Sequence, residues 1–357
     1  MTTTGYDRKY AASLLAADAP PRQAEKGAVP AAHLGRPRCY PPALREKLIE
    51  LWYLFDCLCG KRLAPLLRQT VPVLRELGEC CIDDETAALL VCISAASIDR
   101  LLAEEKRRHN LRGSSITRPG AFLKRQIPIR TFAEWNDAVP GFVEADLVAH
   151  DGGSSCGDFL CSFTMTDVAT GWTEPVVQLN RAQKWTFQSI QTARERLPFP
   201  LLGFDSDNGS EFVNRFFVEQ KNNSVIRRCV GYPRYESPRA LDVLSELYAQ
   251  YRLLVNFFLP SAKLIVRTRD GSKVIRRHDA ARTPCDRVLD HPAVSVADKE
   301  RLRALKLTLN PAKIARSIAE LQRTLVSVAA PINHVPNRWH LQGASHPHGK
   351  FSRLASS

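Results

Sequence analysis

The sequence predicts an α/β protein, with a helical region ahead of its sheet and a basic region behind it. Three observations carry that prediction. Apolar residues recur at helical spacing from Leu44 to Phe55. Three strand-like runs, a helix and a fourth strand follow between Phe142 and Phe204. Charge also changes sign along the chain, whose formal total is +13. Residues 1–140 hold 21 Lys and Arg against 16 Asp and Glu, residues 141–214 hold 4 against 10, and the remainder 25 against 11. Basic flanks around an acidic centre suit a protein that grips a polyanion and binds a divalent cation at its middle. They also suit chance composition in a basic protein.

With 357 residues, 44% of them hydrophobic, the chain can bury a sizeable core. No run approaches the roughly 18 apolar residues of a membrane span. The N-terminus, beginning Met1-Thr2-Thr3-Thr4-Gly5, lacks the apolar core of a secretory signal. The expected setting is cytoplasmic and nucleoid-associated, with no membrane partner. None of the ten cysteines forms the C-x₂-C pair of a zinc knuckle, so free thiols are expected.

Residues 1–40 read as a basic Pro/Ala-rich arm with a partial helix. Its Gly35-Arg36-Pro37-Arg38 stretch suits a minor groove, through Arg36 and Arg38, or a solvated linker. Residues 41–112 read as a helical region. Leu44, Leu48, Leu51, Trp52 and Phe55 share one helix face, and further helices are expected at 61–77 and 84–92. A short helix capped by a Ser follows around Ser94–Leu102, then Lys106-Arg107-Arg108-His109. This pattern fits a helix-turn-helix reader with Arg107 and Arg108 at DNA, or an ordinary bundle with a charged exit.

Residues 113–140, with Pro119, Gly120, Pro128 and Pro140, read as a linker, and 141–258 as the α/β core. Its strands are expected at Phe142–His150, Phe159–Thr166 and Trp172–Leu179, with a turn at Asp167–Gly171. A helix at Trp185–Leu197 and a buried strand at Pro200–Phe204 complete it. Asp146 sits mid-strand among apolar residues, where an ionised carboxylate is expensive unless paired or metal-bound. The fourth strand runs into Asp205-Ser206-Asp207-Asn208-Gly209, which would expose Asp207 at its C-terminal end. If the first and fourth strands are neighbours, Asp146 and Asp207 converge, as a two-metal site requires. Taken alone, Asp-Asn-Gly reads as a tight turn.

These segments resemble the catalytic core of DDE transposases and retroviral-type integrases. The resemblance rests on Val143-Glu144-Ala145-Asp146-Leu147, Thr166-Asp167-Val168-Ala169-Thr170-Gly171-Trp172 and Asp205-Ser206-Asp207-Asn208-Gly209-Ser210-Glu211-Phe212. Val218-Glu219-Gln220-Lys221-Asn222 and Val230-Gly231-Tyr232 extend it. It covers roughly residues 40–280 and is nearest to bacterial insertion-sequence transposases. It implies a partial RNase H-like integrase core in which Asp146, Asp207 and Glu219 are the catalytic acids and ligands of Mg²⁺ or Mn²⁺. The implied chemistry is attack of water on a phosphodiester, then of the freed 3′-hydroxyl on target DNA. The implied partners are transposon ends and target DNA, with the chain a homo-oligomer on DNA.

Glu219 follows Asp207 by only 12 residues, too few for the elements that part these acids in that family. The core is therefore expected to be shortened near residue 214. Twelve residues still reach up to about 40 Å when extended. Gly5-Tyr6-Asp7-Arg8-Lys9-Tyr10-Ala11 resembles the middle of a recognition helix whose earlier partners would precede Met1. The expectation is a decayed copy with weak or absent strand transfer. A DNA-binding regulator of its own element and an RNase H-like nuclease are the alternatives.

In the last part of the core, Leu241, Leu244, Leu247, Tyr248, Tyr251, Leu254 and Phe258 mark a long amphipathic helix. In the basic C-terminal region, 259–357, Lys263, Arg267, Arg269, Lys273, Arg276 and Arg277 surround a hairpin turn at Asp270-Gly271. A helix pair is expected at 298–327 and a loose tail after Pro331. Lys221, Arg227, Arg228, Lys273, Arg276 and Arg277 join the earlier arginines as candidate nucleic-acid contacts.

Overall fold

The computed structural model describes residues 40–108, 139–154, 156–206, 226–270 and 273–330. Those from Pro42 onward belong to one compact unit, distinct from Met1–Pro41. The architecture is mixed α/β, with a mixed four-stranded sheet and a separate two-stranded ribbon.

The apolar stripe of α1 (Pro42–Leu54) explains its place: Leu44, Leu48, Leu51 and Trp52 are buried, as is Phe55 just beyond its end. The Trp52 indole N–H donates to the Leu58 carbonyl at 2.9 Å. The expected helices at 61–77 and 84–92 are found as α2 (Gly60–Glu76) and α3 (Asp84–Cys92). Side-chain caps start α3 and α4 (Ala95–Leu101): Asp83 accepts from the Thr86 N–H at 2.7 Å and Ser94 from the Ser97 N–H at 3.2 Å. The Gly60 N–H donates to Asp99 Oδ1 at 2.9 Å. A Cβ at Gly60 would lie 2.3 Å from the Ala95 carbonyl oxygen, so α2 approaches α4 only because residue 60 is glycine. The short α5 (Ala103–Arg108) ends in Lys106-Arg107-Arg108.

The sheet forms from β1 (Phe142–Ala149), β2 (Cys161–Asp167), β3 (Thr173–Gln178) and β4 (Gly203–Ser206), in the order β3-β2-β1-β4. The first three pair antiparallel, and β4 lies parallel to β1 after a crossover through α6 (Gln183–Glu195). The fourth strand, expected at Pro200–Phe204, pairs with β1 only from Gly203 onward.

Gly141 joins the two halves of this sheet. Its N–H donates to Asp167 Oδ1 at 2.7 Å, and its carbonyl accepts from the Leu202 and Gly203 N–H groups at 2.8 and 3.1 Å. Its φ is +119°, and a Cβ would lie 2.5 Å from the Pro200 carbonyl oxygen. A side chain is thus barred both by conformation and by space. Asp167 also accepts from the Thr170 N–H and hydroxyl at 2.7 and 2.6 Å, which builds the expected β2–β3 turn.

Register decides what covers each face. Ser162 pairs with Val177 and Cys161 with Gln178, so Ser162 and Gln178 point to opposite sides. Ser162 hydrogen-bonds Tyr248 on α8 (Pro238–Phe257), whereas Ser189 on α6 donates to Gln178 at 3.0 Å. Leu244, Leu247, Tyr248, Tyr251 and Leu254 of the long helix are buried, as its periodicity predicts. Asn256 locks α8 to the edge strand, exchanging hydrogen bonds with the Thr173 N–H and carbonyl at 2.9 and 2.8 Å.

Beyond the ribbon, β5 (Leu264–Asp270) and β6 (Lys273–His278), come α9 (Pro284–Asp290), α10 (Val296–Thr308) and α11 (Pro311–Ser327). The last two are the helix pair expected at 298–327, and α9 is an addition. These helices fold back on the first ones. Glu79 accepts from Asn310 at 2.9 Å and from Arg316 at 2.8 and 2.9 Å, Gln69 donates to Asp286 at 2.9 Å, and Arg62 to the Pro260 carbonyl at 2.7 Å. The tail after Pro331 and the linker from 113 lie outside the described residues up to Ala138.

The Glu174 carboxylate is fully buried and takes both arms of the Arg252 guanidinium at 2.6 and 2.7 Å, plus the Trp172 indole N–H at 2.7 Å. Burial pushes its pKa up against these partners. Removing one member strands a buried charge. Arg252→Met is expected to cost about 3–5 kcal/mol, read as a lower urea midpoint, and Glu174→Leu in the same chain to restore most of it.

Candidate functional site

The site is built on the face of the sheet that α8 covers. Parallel pairing sets Glu144 beside Asp205, and antiparallel pairing sets Glu144 beside Thr166 and Asp146 beside Thr164. Paired residues point the same way, as do residues two apart, so Glu144, Asp146 and Asp205 share one face with Thr164 and Thr166. Glu144 is 8% exposed, while Asp146 and Asp205 are half-buried. The strands β1, β2 and β4 contain no Lys or Arg. Their fourth acid, Asp167, points to the other face and is engaged by Gly141 and Thr170. Three carboxylates and two threonine hydroxyls therefore concentrate hard oxygen donors around one stretch of β1.

Asp146 Oδ1 accepts from the Leu147 N–H at 2.8 Å, which orients the carboxyl at its own strand. The last described pair between β1 and β4 is Ala145 with Ser206. The next residue of each strand in sequence is Asp146 and Asp207. Asp207 and Glu219 lie outside the described residues, as do Arg36, Arg38 and Lys221. Among the described residues no three His, Cys, Asp or Glu side chains form a group able to hold a metal ion.

The remaining candidate arginines fall in three places. Arg107 is exposed on α5, and Arg108 beside it pairs with Glu104 and, at 3.5 Å, with Glu105 of its own helix. Arg227 is half-buried with its guanidinium 4.7 Å from the Tyr232 ring centroid, and Arg228 opens α7 (Arg228–Val230). Lys273, Arg276 and Arg277 are on β6, where Arg276 and Arg277 are exposed.

Two features at the C-terminal end of β1 were not legible in the sequence. His150 is buried, with Nε2 2.6 Å from Ser162 Oγ, and Ser162 continues to Tyr248. Burial, aided by the Arg227 charge, pulls the imidazole pKa down to about 4. It is therefore neutral near pH 7. Arg234 is the second. Its guanidinium donates to the carbonyls of Ser154 at 2.9 Å, Cys156 at 2.7 Å, Asp158 at 3.2 Å and Asp151 at 3.3 Å, while Nε pairs with Glu236. One side chain thus pins the described part of the β1–β2 loop, whose Gly152, Gly153 and Gly157 adopt positive φ. The glycines were the visible signal; the arginine, 76 or more residues away in sequence, was not.

The chain is 38% identical over 304 residues to "Uncharacterized protein y4rM" of Sinorhizobium fredii (strain NBRC 101917 / NGR234), covering 78% of this chain and 84% of that protein. The chain belongs to the y4rM family. No protein-family model matches it, and no solved structure does. The described cysteines of this chain are free thiols, and no described helix is long and apolar enough to cross a membrane.

Arg234→Ala is expected to free the loop at 151–158. Hydrogen exchange should rise there by tenfold or more, while the strands keep their protection. Arg234→Lys should fail to rescue, because an ammonium cannot reach four carbonyls in the guanidinium's fork geometry.

Proposed function

We propose that this chain is a DNA-acting protein of the DDE transposase and integrase type, with a partial RNase H-like core. The single observation that carries the reading is the parallel neighbour relation of β1 and β4, which directs the strand of Asp146 and the strand leading into Asp207 to one place. The sheet order β3-β2-β1-β4, with a helix crossing over before β4, supports the RNase H-like part.

On this reading Asp146, Asp207 and Glu219 would hold Mg²⁺ or Mn²⁺, consistent with the hard oxygen donors on this face. The metal, when bound, would supply Lewis acidity at a phosphodiester oxygen. The chain's own part is positional. Leu147 orients Asp146, Gly141 ties β4 to β1, and Glu144 and Asp205 keep the face electronegative. The basic residues of the flanks would hold the DNA.

The 12 residues between Asp207 and Glu219 favour a second reading, a non-enzymatic DNA-binding protein that regulates its own element. A carboxylate ligand must sit within about half an ångström of its productive place, and a shortened frame makes that harder.

The test is nicking and strand transfer on supercoiled plasmid bearing the DNA that flanks the gene, with Mg²⁺ or Mn²⁺. The expected result is slow nicking that Asp146→Asn lowers by about 10²-fold or more, at unchanged DNA affinity. DNA binding with no metal-dependent nicking would move the assignment to the regulator. Nicking without joining would move it to a nuclease. Nicking that Asp146→Asn leaves intact would contradict the site.

A further inference from the structure

The β5–β6 ribbon lies outside the main sheet, and its described anchors sit at its base. There the Lys263 N–H donates to Asp279 Oδ1 at 2.5 Å and its ammonium to the Ala169 carbonyl at 2.7 Å. Asp279 pairs with Arg287 at 2.6 Å, and Ser261 and Arg282 exchange backbone hydrogen bonds at 2.9 and 3.1 Å. These bonds hold the base to the β2–β3 turn and to α9. Beyond the base, every described side chain from Ile265 to His278 is exposed, including Ile265 at 64%, Val266 at 41% and Ile275 at 41%. Two-stranded ribbons with neither face covered are marginal in water.

The charge pattern makes the ribbon less stable still. Residues 264–278 hold five Lys and Arg against one Asp. Arg267 pairs directly with Arg276, and Arg269 with Val274, so positions 267, 269 and 276 share one ribbon face and Asp270, opposite Lys273, falls on the other. Like charges directly opposed weaken a ladder. Lysines along an exposed edge would suffice to prevent edge-to-edge aggregation. Three arginines on one face, two of them opposed, go beyond that need and match a dense row of anions. The ribbon's shape narrows the partner. Its strands are about 4.8 Å apart, and the B-form major groove, about 12 Å wide, admits a two-stranded ribbon.

We propose that the β5–β6 ribbon docks in the major groove of duplex DNA, with positions 267, 269 and 276 supplying phosphate contacts. This rests on the DNA-acting reading for its partner class and is independent of the carboxylate chemistry. The full chain is titrated without metal against a short random-sequence DNA duplex, so nicking remains a separate readout. Arg267→Ala/Arg269→Ala/Arg276→Ala is expected to weaken binding by at least about tenfold and to flatten the slope of log K against log salt by two to three, about one per lost phosphate contact. Its circular dichroism should match wild type, and the all-lysine triple variant should bind nearly as wild type. Duplex RNA, whose major groove is too narrow for a ribbon, should bind more weakly. A photoreactive amino acid incorporated in place of Val274, whose position pairs with Arg269 on the arginine face, should join the otherwise unaltered chain to the duplex, whatever the stability of the triple variant. Wild-type affinity and slope in a folded triple variant, equal affinity for duplex RNA, absence of the crosslink, or capture by anionic phospholipid vesicles in place of duplex DNA would each overturn the proposal.

Discussion

The arrangement depends on Gly141. One residue bonds forward to Asp167 in the β2–β3 turn and back to Leu202 and Gly203 at the start of β4. It thereby couples the antiparallel meander to the parallel strand. Its φ of +119° and the 2.5 Å approach of the Pro200 oxygen leave no room for a side chain. Without this join, β4 would have only four residues of pairing to hold it beside β1. The clustering of Glu144, Asp146 and Asp205 follows from that pairing.

Electrostatics then divides the molecule. The carboxylate face of the central strands carries no Lys or Arg, whereas the buried acid of the edge strand, Glu174, is neutralised by Arg252. The structure thus treats its acids in two ways. Glu174 and Asp167 are saturated with hydrogen bonds and hold the fold, while Glu144, Asp146 and Asp205 share one face of the sheet.

Much of this was legible in the sequence. The helices at α1 to α4, the three-strand meander, its crossover helix and the ribbon follow local rules of period, cap and turn, and they appear within a few residues of where those rules put them. Ser94 was readable as a cap because its hydroxyl needs only the N–H three residues on. Arg234, Arg252 and Gly141 were not readable in this way. Their partners lie in other elements, and nothing in a local window marks an arginine for four carbonyls or a glycine for a close approach. The short α9 was missed because seven residues carry too little periodicity. The resemblance motif Asp167–Trp172 proved readable in a different sense, since the structure uses Asp167, Thr170 and Trp172 to build a turn and a buried anchor. Asp207 and Glu219 remain sequence assignments.

The central claim is that Asp146 and Asp207 act together on one divalent cation site. Mn²⁺ binding, followed by electron paramagnetic resonance in wild type, Asp146→Ala, Asp207→Ala and the double variant, tests it most directly. The account predicts that either single substitution removes nearly all the binding that the double removes, as expected for ligands of one site. Mn²⁺ bound at wild-type strength by the double variant, or losses that simply add, would contradict it.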